Sequence, residues 1–486
     1  MMPATKIPLG RLRAILFMSL LGGCTVGPDF HPPANQAPVR WWGAAPTNVS
    51  STATYGGTVD TSWWDSFHDS ELSSLVGRLA RQNLELQVAG ERVEQARQQR
   101  RIAASRGLPN IDAQGNYNRV RLPPQVLSTF VMPKPTAPEA FDLFQDDLSA
   151  SWEVDLFGRV RRQVEAERAN TEATVEARRS VALMAVSDLA QDYMQLRGTQ
   201  AMEAITTASI ADADANTALV RNQFANGVST TLDMANAKAQ RDSIAANLPP
   251  LRAAEAQLIN AIGLLLAEPP RALEAELQQP AGQPPVPPTV PIGLPSELAR
   301  RRPDIRAAEA RLHAATAATG VAVADFYPDV RLTGQIGTQA LRFPELFNLM
   351  SGMYMVGPSV DLPIFEGGRL RATLRLRRSE QREAAISYHS TVLQAWQDVD
   401  NALTAYTEAQ NRRRQIANAV QQNKVALAAA RQRYQQGVVD YLNVLAAQGA
   451  LFQTENSLAD SDAQIETDLV TLYRALGGGW QVADGS

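Results

Sequence analysis

The chain has 486 residues, a formal net charge of -4, one cysteine and four histidines. That small negative charge, with no basic patch interleaved with aromatics, argues against a nucleic-acid binder. A single cysteine excludes an intrachain disulfide, so stability rests on packing, for which the chain is ample.

The first 23 residues read as an export leader: Lys6, Arg11 and Arg13, then the apolar run Ala14–Leu21. That run is too short to span a bilayer, which takes about 20 apolar residues. Leu21-Gly22-Gly23-Cys24 resembles a bacterial lipobox, so Cys24 is expected to become the first mature residue and to carry lipid. Thr25, rather than Asp, leans towards the outer membrane. Residues 24–82 are expected to be an extended, lipid-anchored segment.

Beyond this segment the sequence repeats. Residues 83–115 align without gaps on residues 302–334, and residues 224–233 fall on residues 434–443. The first copy is placed at 83–268 and the second at 296–476. The connector is placed at 269–295, its proline-rich stretch 278–295 reading as extended, and residues 477–486 as a tail. Extra length in the first copy falls within 116–150, where prolines mark a loop.

Each copy opens with a helix, then two stretches of period-two alternation. Strands are expected at about 111–120 and 147–156, and at about 329–338 and 353–362. Asp147, Glu153, Asp155 and Asp361 fall on the polar faces, opposed by Arg331, which predicts a modest cation preference for a pore built from those faces. Alternation of this kind fits membrane-spanning strands beside a wet lumen, or a half-exposed soluble hairpin. Four strands cannot close a barrel, and lipid tolerates no open sheet edge. If these strands span a membrane, several chains must share one barrel, and three would supply twelve strands.

No proline occurs from residue 157 to 248, or from 364 to the end. Long helices are therefore expected over 158–225 and 367–434, each roughly 100 Å at 1.5 Å per residue. The glycine turns at Gly227 and Gly437 lead into return helices over 229–263 and 439–476. His31, His68, His313 and His389 show no metal-ligand spacing, and no nucleophile elbow or phosphate loop is present, so neither an enzyme nor a cofactor is expected.

"CTVGPDFHPP", "WWDSFHDSEL", "NLELQVAGERVEQAR" and "RPDIRAAEARL" together resemble the outer-membrane efflux protein family of the TolC/OprM type, in its lipoprotein branch. The resemblance implies a homotrimer: a twelve-stranded barrel continued by a periplasmic helical barrel, with Pro109 and Pro328 at the helix–strand junctions. It implies passive export of drugs and other small solutes, driven by an inner-membrane RND-type pump through a periplasmic adaptor. Gly227, Val228, Gly437 and Val438 would lie at the adaptor-facing tips. The family's tyrosine–aspartate hydrogen bond maps onto Tyr434 and Asp233, and its apolar ring onto Leu442. Its two acidic aperture positions fall on Asn443 and Ala446, which carry no carboxylate. Export of polypeptides, or a periplasmic coiled-coil tether, are the alternative readings.

Overall fold

The computed structural model describes residues 25–34, 41, 53–55, 60–121, 140–279, 281–287 and 289–484. Cys24 and the proline-rich stretch 122–139, expected to be a loop, lie outside the described residues. In chain order the elements are β1 (Ala53–Tyr55), α1 (Ser70–Gln82), α2 (Leu84–Ser105), β2 (Asn110–Arg121), β3 (Ala140–Glu153), α3 (Arg159–Ala225), α4 (Thr231–Ala245), α5 (Leu248–Leu265), α6 (Glu274–Leu277), β4 (Thr289–Pro291), α7 (Leu298–Arg301), α8 (Pro303–Ala324), β5 (Asp329–Ala340), β6 (Gly352–Asp361), α9 (Arg369–Gln435) and α10 (Tyr441–Leu476). The duplication is visible in these bounds: α8 and β5 start 219 residues after α2 and β2. Helices α3 and α9 are 67 residues each, offset by 210.

The chain forms two compact units. One comprises Met1–Pro32, Glu94–Ala173 and Glu309–Ser387; the other comprises Pro33–Val93, Thr174–Ala308 and Tyr388–Ser486.

The first unit holds a four-stranded antiparallel sheet in the order β2-β3-β5-β6. One cross-strand row reads Ile111, Ala150, Gly334, Val356 and the next available face reads Gln114, Asp147, Gly337, Met353. Successive side chains alternate sides, so the register keeps one apolar and one polar face. Pro109 and Pro328 immediately precede β2 and β5. Pro358 sits inside β6, where a missing N–H is tolerated because β6 is an edge strand. Strand β3 departs from the expected 147–156. It starts at Ala140, which pairs with Arg121, and it stops at Glu153. Its C-terminal end is cut short because the Asp155 carboxylate accepts from the N–H groups of Val160 and Arg161 at 3.2 and 2.9 Å, capping α3.

The second unit has a large apolar core. Asp69 caps α1 by accepting from Glu71 and Leu72, and Leu72, Leu75, Val76 and Leu79 place one helical stripe inward. Trp63 stacks on Tyr473 at 5.1 Å and donates through Nε1 to the Gly478 carbonyl. Leu189, Tyr193 and Leu196 of α3 and Leu469 and Leu472 of α10 complete this cluster. Among the described residues no helix is long and apolar enough to cross a membrane.

Two expectations need correction. The first return helix is not continuous over 229–263. It breaks between α4 and α5 at Ala246 and Asn247, because Pro249 and Pro250 lack donors and suit only a helix start. Its counterpart α10 contains no proline and runs unbroken. In the connector 269–295, α6 precedes the stretch read as extended, and within that stretch β4 pairs in parallel with β1. The segment 24–82, expected to be extended, contains α1 and a 3-10 turn at Trp63–Phe67. Its Asp69 cap and apolar spacing outweigh the extended reading.

Candidate functional sites

At the far ends of α3 and α9 the chain turns twice in the same way. Gly227 and Gly437 both adopt φ +73°, a left-handed conformation natural to glycine. Gly227 donates to the Phe224 carbonyl and Val228 to that of Gln223; Gly437 and Val438 repeat this on Tyr434 and Arg433. These are helix C-terminal motifs that satisfy otherwise orphan carbonyls. Phe224, Val228, Leu232, Val438 and Leu442 remain exposed around the two turns. Beneath them Val220, Ala237, Leu427, Tyr441 and Val444 form a small core, with Tyr434 and Tyr441 rings 5.3 Å apart.

The hydrogen bond expected between Tyr434 and Asp233 is not formed. Tyr434 donates its hydroxyl to Gln223 Oε1, joining α9 to α3. Asp233 is occupied locally: it accepts from the Thr230 N–H at 2.9 Å, the Thr230 hydroxyl at 2.7 Å and the Ser229 hydroxyl at 3.1 Å. This capping box on α4 holds the Asp233 carboxyl below its usual range, the Thr230 hydrogen bonds being the main cause. Burial pushes the Tyr434 phenol up and the Tyr441 phenol up to about 12. At the start of α10, Asp440 offers no side-chain cap. Leu442, Asn443 and Ala446 are exposed there, opposite the buried Tyr441 and Val444. Gln223 was invisible to sequence reasoning, since a glutamine near a helix end carries no signal of its own.

The acids expected to line the strand face are mostly engaged with neighbouring side chains. Asp147 is on the polar face but only 7% exposed, with Gln145 donating to it at 3.1 Å. Glu153 accepts from Arg159 Nε at 3.0 Å and pairs with its guanidinium. Asp155 lies outside the strand, paired with Arg161 at 3.2 Å. Arg331 is itself paired with Asp329 at 2.8 Å. Asp361, at the end of β6, is exposed.

A third arrangement was carried in the sequence only as part of a resemblance. The segment from Thr25 to Phe30 is strapped onto the strand–helix junction of its own unit. Val26 donates to the Phe157 carbonyl, and Arg162 Nε donates to the Val26 carbonyl, both at 3.2 Å. Arg162, 4% exposed, also pairs with Asp29 at 2.6 Å and Glu165 at 2.8 Å. Gly27, at φ +94°, lies so close to Gly320 that a Cβ would stand 2.5 Å from the Gly320 Cα. The Phe30 ring stacks on His313 at 4.5 Å, and His313 meets Glu165 at 3.0 Å. Burial pushes the Glu165 carboxyl up, but hydrogen bonds from His313 and Arg162 bring it below its usual range. The buried Arg162 and the paired glycines leave no periodicity by which the socket could be read in advance.

The family model described as outer membrane efflux protein matches residues 75–267 and 294–478. The outer membrane protein OprJ of Pseudomonas aeruginosa is 32% identical over 475 residues, covering 97% of this chain and 96% of its own length. The cation efflux system protein CusC of Escherichia coli O6:H1 is 30% identical over 461 residues, covering 95% of this chain and 97% of its own. The solved outer-membrane channel OprN superposes with a TM-score of 0.87 at 31% identity, covering 94% of this chain and all of that one.

Proposed function

Because this chain belongs to the outer membrane efflux protein family, we propose that three copies close a twelve-stranded barrel and act as the exit duct of a tripartite efflux pump. Its location is the outer membrane, and the family is one of efflux channels rather than enzymes. The observation that carries the reading is the sheet β2-β3-β5-β6. It has one apolar and one polar face, and among the described residues both edge strands lack an outer partner. Such edges are untenable in lipid unless another copy pairs with them. β6 of one copy against β2 of the next, repeated three times, removes every edge.

The duct is passive. Drugs and other small solutes pass outward, driven by an inner-membrane RND-type transporter through a periplasmic adaptor. The exposed apolar tips at Gly227, Val228, Gly437 and Val438 are where the adaptor docks. The narrowest point is held by the Tyr434–Gln223 bond and a Leu442 ring, and Asn443 and Ala446 add no carboxylates for divalent cations. Cys24 carries the lipid that assists anchoring.

The test is mass measurement of the detergent-purified protein together with planar-bilayer recording. A trimer that conducts is expected. A monomer or dimer without conductance overturns the reading and favours a coiled-coil tether. Conducting trimers that restore polypeptide secretion but not drug resistance, in a host lacking its own channel, replace the solute with a polypeptide.

A further inference from the structure

In the second unit, a cavity of about 610 Å³ opens between the connector residues Gln283–Val286 and the helices α9 and α10. Its volume is in the range of small-molecule sites. Pro284, Pro285, Val286 and Ile465 give it an apolar wall, and Arg413, Arg414, Asp462 and Glu466 supply charge and polarity. Gln283 holds the connector in place by donating to the Ala459 carbonyl at 3.2 Å.

Glu466 is the unusual member. It is 2% exposed, and its Oε2 is buried with no hydrogen-bond partner among the described residues. A buried polar group without a partner is costly and calls for an explanation. The charges around it do not favour a cation. Arg413 is paired with Asp462, so that pair is neutral as a unit. With the Glu466 carboxyl kept neutral by its burial, Arg414 leaves the cavity with one net positive side chain. A guanidinium recognises a carboxylate through a planar, two-point contact.

We propose that this cavity binds a small amphipathic organic anion, with its carboxylate on Arg414, a hydrogen bond from the Glu466 carboxyl, and its apolar body against Pro284, Pro285 and Ile465. Binding needs Glu466 protonated. Burial above all, then Asp462 on its own helix and Asp69 at the start of α1, push its carboxyl up to about 9. Asp69 is held by the Tyr193 hydroxyl at 2.8 Å, and Arg413 and Arg414 face the cavity from α9. The hydrogen bond to the ligand is therefore present at neutral pH and lost in alkali.

Isothermal titration of the purified full-length protein with salicylate tests this, with benzamidine as the cation of matched size. Saturable binding of one salicylate per chain is expected at pH 7, at least tenfold tighter than benzamidine. Arg414→Ala, at an exposed side chain, should weaken it at least tenfold. The wild type should lose at least tenfold between pH 7 and pH 10, and Glu466→Gln should flatten that loss. Preference for benzamidine, no binding of salicylate, or binding indifferent to Arg414→Ala overturns the proposal. If Glu466→Gln does not fold, the pH profile of the wild type alone decides the role of Glu466.

Discussion

Glu466 sets a pH dependence on stability that can be read from its sign. Its folded-state value, about 9, lies above its ordinary value of 4.5, chiefly through burial. The native state therefore keeps a proton that the unfolded chain releases. This stabilisation is complete below 4.5 and falls as pH rises towards 9, by at most about 1.4 kcal/mol per pH unit for one proton. Glu466→Gln removes that proton linkage. Thermal unfolding of wild type and variant at pH 5, 7 and 9 should show the wild type losing ground steadily; parallel profiles would contradict it. At this scale the sequence was only partly legible. Asp233 and Tyr434 were mapped onto the tip by the family resemblance. Their partners were not, because Asp233 is claimed by Ser229 and Thr230 next to it in the chain. Tyr434 reaches Gln223, 211 positions away, through the phase of two long helices. The strand-face acids failed for a related reason: Glu153 and Asp155 meet Arg159 and Arg161 only after the chain turns from β3 into α3.

Among the elements, the tip hairpins and the N-terminal strap carry the sharpest consequences. A double-mutant cycle separates the two possible partners of Tyr434. Tyr434→Phe and Gln223→Ala should be coupled in unfolding free energy by roughly 1 kcal/mol, the net worth of one hydrogen bond. Tyr434→Phe and Asp233→Ala should be additive, with Asp233→Ala alone costing about 1 kcal/mol as a lost helix cap. Coupling of Tyr434 to Asp233 instead would restore the expected bond. The strap makes a different prediction. Arg162→Ala removes at once the contacts to Val26, Asp29 and Glu165, so hydrogen exchange of residues 25–30 should rise sharply. Cys24→Ala should leave that protection unchanged, since the contacts begin at Thr25. Equal exchange in wild type and Arg162→Ala would mean that the socket does not hold the segment. The long helices were legible because a proline-free, alanine-rich run has few other options. The break at Asn247 was missed although its cause, Pro249 and Pro250, stood in the sequence within the expected helix.

In the proposed trimer each substitution would appear three times around one axis, so local pairing would become a property of the pore. Unpaired acids on the strands would draw cations. Here Asp147 is buried, Glu153 is held by Arg159 and Asp155 by Arg161, which leaves Asp361 as the exposed acid of the four. The open wild-type pore should therefore discriminate weakly between potassium and chloride. Arg159→Gln removes three positive charges and releases three Glu153 carboxylates, and Asp329 loses its Arg159 contact at 3.9 Å. Both changes act in the same direction, and they sit at the C-terminal end of β3. Reversal potentials under a tenfold potassium chloride gradient should stay near zero for the wild type and shift clearly towards cation selectivity for Arg159→Gln. The shift should shrink as salt rises, because exposed charges are screened within about 10 Å at 0.1 M and about 3 Å at 1 M. Arg331→Gln, which frees Asp329 rather than Glu153, should move the potential the same way. A wild type already strongly cation-selective, with Arg159→Gln no different, would show that Glu153 is unpaired in the assembled pore and that the polar strand face is acidic after all.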